Sequence, residues 1–167
     1  MRRLLALNSL LFVLLLTVGC GVYSFTGATI EGKTIRMQPF DNKARNVVPT
    51  LSPALTSKIR TRILSQTGLS PVNADNADYE LIGTITQYNV TVSGVQNTQT
   101  ASQNRLTISL NVKFINRLDE KANFTQDFTR FADFPATQTL QAAESGLIET
   151  IGEQLANDIF NKAFVNW

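Results

Sequence analysis

Histidine is absent from this 167-residue chain, and cysteine occurs once, at Cys20. Without histidine the chain lacks the commonest general base and the commonest metal ligand. A single cysteine can close no internal disulfide and build no cysteine-based zinc site. Charge is also scarce: Asp, Glu, Lys and Arg make up 17% of residues, against 43% hydrophobic ones. That balance is globular, and the fold must stand on core packing alone. No glycine-rich phosphate loop, nucleophile elbow or catalytic dyad occurs. The two carboxylates of "DNAD" (Asp75 to Asp78) are too few for a calcium loop and read as a turn. Together these absences exclude most enzyme classes, and we expect a non-enzymatic protein. The length suits one domain, and there is neither an internal repeat nor a linker long enough to mark a second.

What is present begins with a targeting segment. Arg2 and Arg3 precede an almost unbroken apolar run from Leu4 to Leu16, and small residues follow. That run is shorter than the roughly 20 apolar residues needed to span a bilayer. Residues 1–19 therefore read as a signal peptide. Val18-Gly19-Cys20 resembles the bacterial lipobox, although Thr17 stands where leucine is usual. In that class the cysteine thiol is alkylated by diacylglycerol, the peptide is cut before it, and the new amine is acylated. Gly19 is then the cleavage flank and Cys20 the lipid-bearing first residue. No other cofactor is expected. Gly21 follows the cysteine where aspartate would favour inner-membrane retention, which points to the outer membrane. Asn89 and Asn123 match the glycosylation sequon, but both lie in strand-like stretches and a lipobox argues for bacteria.

Cleavage removes Arg2 and Arg3 and leaves thirteen basic residues against thirteen acidic ones. A neutral chain has no electrostatic drive toward nucleic acid. The charge is uneven, however. Cys20 to Ala74 carries seven basic and two acidic residues, and Asp75 to the end carries six and eleven. Either the first half presents a positive patch or the halves neutralise each other in the fold.

The mature chain opens with a short candidate strand at Val22 to Phe25, followed by "KTIRMQPF" (Lys33 to Phe40), a strand closed by Pro39. Leu51, Leu55, Ile59 and Ile63, four apart, predict a helix with Ser52 as N-cap, Pro53 at the first helical position and Gly68 past its end. Leu69 to Val72 reads as a short strand and Tyr79 to Val92 as a long one. The polar stretch Ser93 to Asn104 reads as a loop. Leu106, Ile108, Leu110, Val112 and Phe114 alternate with Arg105, Thr107, Ser109, Asn111 and Lys113, the clearest strand in the chain. "DEKA" turns it back into "NFTQDFTRFADF". A long final helix carries Ala143, Leu147, Ile151, Leu155 and Ile159 on one stripe, with Leu140, Ile148 and Phe160 beside it. Gly146 and Gly152 each cost that helix about 1 kcal/mol, and close approach to a neighbouring element is one reason to keep them. The expected fold is α+β: a two-layer sandwich, its mixed, mostly antiparallel sheet of about four strands, with two helices on one face and a polar other face.

Lys58 and Arg62 lie four apart on the first predicted helix, and Arg105 stands at the mouth of the polar stretch. They form either a solvated face that pairs with the acidic half or a phosphate-reading patch. In order along the chain, "GCGVYSFTGATIEGKTIRMQPFDN", "SPALTSKIRTRILSQTGL", "ADYELIGTITQYNV", "NRLTISLNVKF" and "EQLANDIFNKAFVNW" resemble the LptE-like lipopolysaccharide-assembly lipoproteins of Bacteroidetes-type bacteria. The resemblance spans nearly the whole of residues 20–167. It implies an outer-membrane, periplasm-facing, lipid-anchored protein that plugs the lumen of an LptD-like β-barrel and assists its assembly. The pair then delivers lipopolysaccharide to the outer leaflet. Lipopolysaccharide is bound in that family through basic residues, for which Lys58, Arg62 and Arg105 are the candidates here. The alternative is an envelope scaffold lipoprotein that acts on a cell-wall synthase or a secretion complex.

Overall fold

The computed structural model describes residues 30–95 and 101–165. Gly19, Cys20 and the strand expected at Val22 to Phe25 lie outside them. Among the described residues six strands and two α-helices make two layers, with one 3-10 turn at Glu120–Ala122. The strands are β1 (Thr34–Met37), β2 (Asp41–Asn42), β3 (Ser70–Val72), β4 (Tyr79–Val95), β5 (Ala101–Asn116) and β6 (Phe124–Pro135). The helices are α1 (Leu51–Thr67) and α2 (Leu140–Phe164). The sheet order is β3-β1-β4-β5-β6, and β2 pairs with β4. β1 runs parallel to both β3 and β4, and β4, β5 and β6 are antiparallel. The sheet is thus wider than the four strands expected. The extra width comes from β2, two residues long and too short for an alternating pattern, and from β3, the short strand expected at Leu69 to Val72, which joins the same sheet beside β1.

Period-2 burial builds the centre of the sheet. Leu106, Ile108, Leu110, Val112 and Phe114 on β5 are all nearly inaccessible and face the helices. The α1 stripe meets them: Leu51, Leu55, Ile59 and Ile63 are completely buried. On α2, Leu147, Ile148, Ile151, Leu155, Ile159 and Phe160 close the same core. Ion pairs join the two halves of the chain, since Arg36 meets Asp75 and Glu80, and Lys58 meets Glu149.

The start of α1 departs from expectation. The helix begins at Leu51, and Ser52 lies inside it. Its hydroxyl donates to the Phe40 carbonyl at 2.5 Å, and Thr56 Oγ1 accepts the Phe40 N–H at 3.0 Å. Both backbone groups of a buried loop residue are thereby satisfied, a stronger demand on the Ser52 hydroxyl than capping. Pro53 still falls in the first turn, where its missing N–H is not needed. Gly68 ends the helix at φ 67°, the left-handed conformation glycine takes without strain. At the other end of the fold Thr139 caps α2 and accepts from the Ala142 N–H.

Gly152 and Gly83 are among the glycines that hold close approaches. A Cβ on Gly152 would stand 3.3 Å from Leu55 Cδ2, at the crossing of α1 and α2. Gly146 has nothing within 4 Å of such an atom, so close packing does not account for it. On β4, a Cβ at Gly83 would lie 2.5 Å from the ring of buried Phe40. We expect Gly83→Val to displace that ring, with overpacking costs of about 1–3 kcal/mol. An unshifted urea midpoint would show that the Phe40 loop yields freely.

The described part of the polar stretch Ser93 to Asn104, residues 93–95 and 101–104, is strand rather than loop. Val92 faces Asn104 and Gly94 faces Gln103 across the β4–β5 hairpin. Thr91, Val92 and Ser93 are exposed, so neither face of this end requires apolar residues, and the sequence carries no alternating signal there.

Candidate functional site

The sheet face away from the helices is a polar grid set by strand register. Its cross-strand rows are Thr84–Asn111–Asp127, Gln87–Ser109–Thr129, Asn89–Thr107–Phe131 and Thr91–Arg105–Asp133. Side chains bond along these rows. Ser109 Oγ donates to Gln87 Oε1 at 3.1 Å and lies 2.8 Å from Thr129 Oγ1. Asn111 Nδ2 donates to Asp127 Oδ1 at 2.7 Å. Arg105 donates to both oxygens of Asp133, at 2.7 and 2.9 Å, while its guanidinium lies 3.7 Å above the Phe131 ring. This bidentate bond holds the Asp133 carboxyl below, and the Arg105 guanidinium above, its ordinary pKa. Such a surface suits a wet, polar contact whose specificity lies in matched hydrogen bonds.

The basic candidates do not converge. Lys58 pairs with Glu149 across the α1–α2 seam. Arg62, one turn further along α1, lies over the Phe160 ring at 5.2 Å, and its Nε is buried without a partner. Arg60 donates to the Met37 carbonyl at 2.7 Å. Arg105 belongs to the opposite face of the sheet. Lys58 and Arg62 therefore share one side of the molecule, and Arg105 is separated from them by the sheet. An exposed pair such as Lys58–Glu149 contributes about 0–1 kcal/mol, so Lys58 is readily released to another anion.

Sequence reasoning missed a third group, at the β1–β4 junction. Glu80 is nearly buried and accepts from Arg36 Nη1 at 2.7 Å and Arg117 Nη2 at 2.9 Å. Arg36 also meets Asp75 at 3.1 Å, and Arg117 donates to the Ala77 carbonyl at 2.8 Å. The only signal was a charged residue inside a strand pattern. Its partners come from strand pairing between distant segments.

Asp78, in the "DNAD" turn, accepts the N–H of Lys33 at 2.8 Å, and the N–H and hydroxyl of Thr34 at 2.9 Å each. These bonds, led by the Lys33 N–H, hold its carboxyl below the ordinary value of 3.8. Since the folded pKa is the lower one, the stabilisation is complete above pH 3.8 and fades as the pH falls through the folded value. The urea midpoint of Asp78→Asn is accordingly expected to lie below wild type at pH 7 and to converge on it in strong acid. A gap that is constant with pH would detach the effect from the carboxylate.

This geometry defines a class: an α+β domain with two helices behind a mixed sheet and a polar, hydrogen-bonded open face. The same fold is seen, at low identity, in solved structures of bacterial proteins. The hypothetical protein CT253 of Chlamydia trachomatis is similar at TM-score 0.56 and 8% identity, over 81% of this chain and 99% of that one. A minor lipoprotein of Acinetobacter baumannii is similar at TM-score 0.51 and 14% identity, over 80% and 93%. No curated protein matches the sequence. The LptE family, described as lipopolysaccharide-assembly, matches residues 32–163, and the chain belongs to that family.

Proposed function

We propose that this protein is an outer-membrane lipoprotein that plugs and assists the assembly of an LptD-like β-barrel and supports lipopolysaccharide transport to the outer leaflet. The family match across almost the entire folded region carries this reading. In it, cleavage after Gly19 exposes Cys20, whose diacylglycerol and acyl chains anchor the domain facing the periplasm. A barrel lumen is polar and wet, and the hydrogen-bonded open face of the sheet suits such a surroundings. The work is non-enzymatic, and nucleic acid has no part in it. Extraction of the lipoprotein in mild detergent is expected to co-purify a large β-barrel. Its absence from the eluate would overturn the plug reading and favour the scaffold alternative.

Lys58, Arg62 and Arg105 remain the residues assigned to lipopolysaccharide. Charge-assisted bonds to phosphate contribute about 1.5–3 kcal/mol each. Lys58→Glu with Arg62→Glu should therefore weaken lipopolysaccharide binding by about tenfold or more. The same holds separately for Arg105→Glu on the other face. Unchanged affinity in a double variant that melts cooperatively would return Lys58 and Arg62 to a solvated, internally paired surface.

A further inference from the structure

Besides the two-residue β2, the sheet has three stretches of free edge among the described residues, and two of them are guarded. β3 is three residues long with Pro71 at its centre. The upper half of β4 is broken by register shifts at Ile85/Gln87 and Val92/Gly94, and Asn46 Nδ2 reaches the Tyr88 carbonyl. Short length, proline and bulges are the usual means of closing an edge to further pairing. β6 has none of them. It runs twelve residues with an unbroken register against β5, from Gln103↔Pro135 to Phe114↔Phe124, and its one proline is terminal. Its outer side carries backbone donors and acceptors with no strand partner among the described residues.

A groove runs along this edge between β6 and α2. Arg130, on the core-facing side of β6, crosses it and donates to both oxygens of Asp158 at 2.6 and 2.8 Å. An inward-pointing charge ordinarily discourages strand addition, but here the charge is neutralised within the chain. On one side of that bridge lies a cavity of about 530 Å³ bounded by Phe128, Asn161 and Lys162, and on the other one of about 410 Å³ bounded by Gln154 and Asn157. Alternate residues of an added strand fall about 6.8 Å apart, so they can straddle the bridge. Lys162 has no carboxylate partner among the described residues and rests 5.7 Å from the Phe124 ring. Of the acids beside this cavity, Asp127 on β6 bonds Asn111 on the opposite face of the sheet, and Asp158, one turn before Lys162 on α2, is taken by Arg130.

We infer that the β6 edge accepts an extended, hydrophilic segment of the β-barrel partner as a seventh strand, with an acidic side chain of that segment against Lys162. The inference rests on the barrel reading above. A row of free backbone groups at strand spacing is matched by extended polypeptide, and the amide-lined groove and the polar outer row both call for polar side chains. Amide exchange of the full lipoprotein, alone and in the detergent-extracted complex, tests it. The β6 amides that do not bond β5 are expected to exchange about tenfold or more slowly in the complex. Lys162→Glu should weaken co-purification of the barrel by about tenfold, and Lys162→Arg should restore it. Equal β6 exchange in a complex that still holds the barrel would overturn strand addition and leave the barrel reading standing. β6 protection that accompanies self-association, without barrel, would overturn the barrel as donor. An eluate that lacks the barrel in every condition would overturn both readings.

Discussion

Phe114→Ala is expected to destabilise the domain by about 3–5 kcal/mol, the range for truncating a fully buried aromatic. Phe114 is 1% exposed, and its ring is shared by four elements. It stacks on Tyr79 of β4 at 5.8 Å and on Phe124 of β6 at 5.4 Å, and meets Phe164 of α2 edge-on at 5.4 Å. Tyr79 and Phe164 touch each other at 5.5 Å, so the three rings form a closed triangle that cannot collapse inward without losing a second contact. Domains of this kind have a net stability of about 5–15 kcal/mol, so one substitution removes a large share of it. The measurement is a urea titration. The midpoint should fall while the slope is unchanged, because the surface exposed on unfolding scarcely changes. Phe131→Ala supplies the contrast. That ring is 47% exposed, and its main partner is the Arg105 guanidinium, so a loss of about 1 kcal/mol is expected. Equal losses at the two positions would contradict the placement of the core.

The second large effect is chemical. Cys20→Ser is expected to leave a precursor that retains residues 1–19 and takes up no acyl label. A serine hydroxyl is a far weaker nucleophile than a thiolate, so the thioether to diacylglycerol does not form. In the lipobox class, removal of the signal peptide waits on that modification. The physical consequence is large because each buried methylene contributes about 0.8 kcal/mol of membrane affinity, and two or three chains hold a domain effectively permanently. Pulse-labelling with radioactive palmitate and a gel for precursor size read both outcomes at once. Mature-size protein from the serine variant would show ordinary signal cleavage and sink the lipid assignment, with Thr17 the first residue to blame.

Legibility from sequence followed burial. β5 and the stripe of α1 were readable because one buried face imposes a period of two on a strand and 3.6 on a helix. The same alternation already placed Arg105 on the wet face, opposite the side where two amphipathic helices must pack. Its separation from Lys58 and Arg62 was therefore implicit in the pattern. The parallel pairing of β1 with β3 and β4 was not, because four- and three-residue strands carry too few positions to show a period. With that pairing unknown, Arg36, Glu80 and Arg117 could not be recognised as one cluster. Ser52 was misassigned because a cap and a tether to a distant carbonyl use the same hydroxyl. The β4–β5 extension was read as a loop because strands exposed on both faces look like loops in composition.

The parallel placement of β1 also fixes an order in time. β4, β5 and β6 pair as successive antiparallel neighbours, whereas β1 must wait for β3 and for Tyr79 to Leu81, more than forty residues downstream, and α1 must wait for α2. Closing that span costs loop entropy before any bond is gained. β1 is therefore made early but stays unpaired until β3 and β4 have followed it. On the proposed lipoprotein reading, docking of Lys33 and Thr34 onto Asp78 is the step that fixes where the domain begins, and with it the length of chain left between the fold and Cys20.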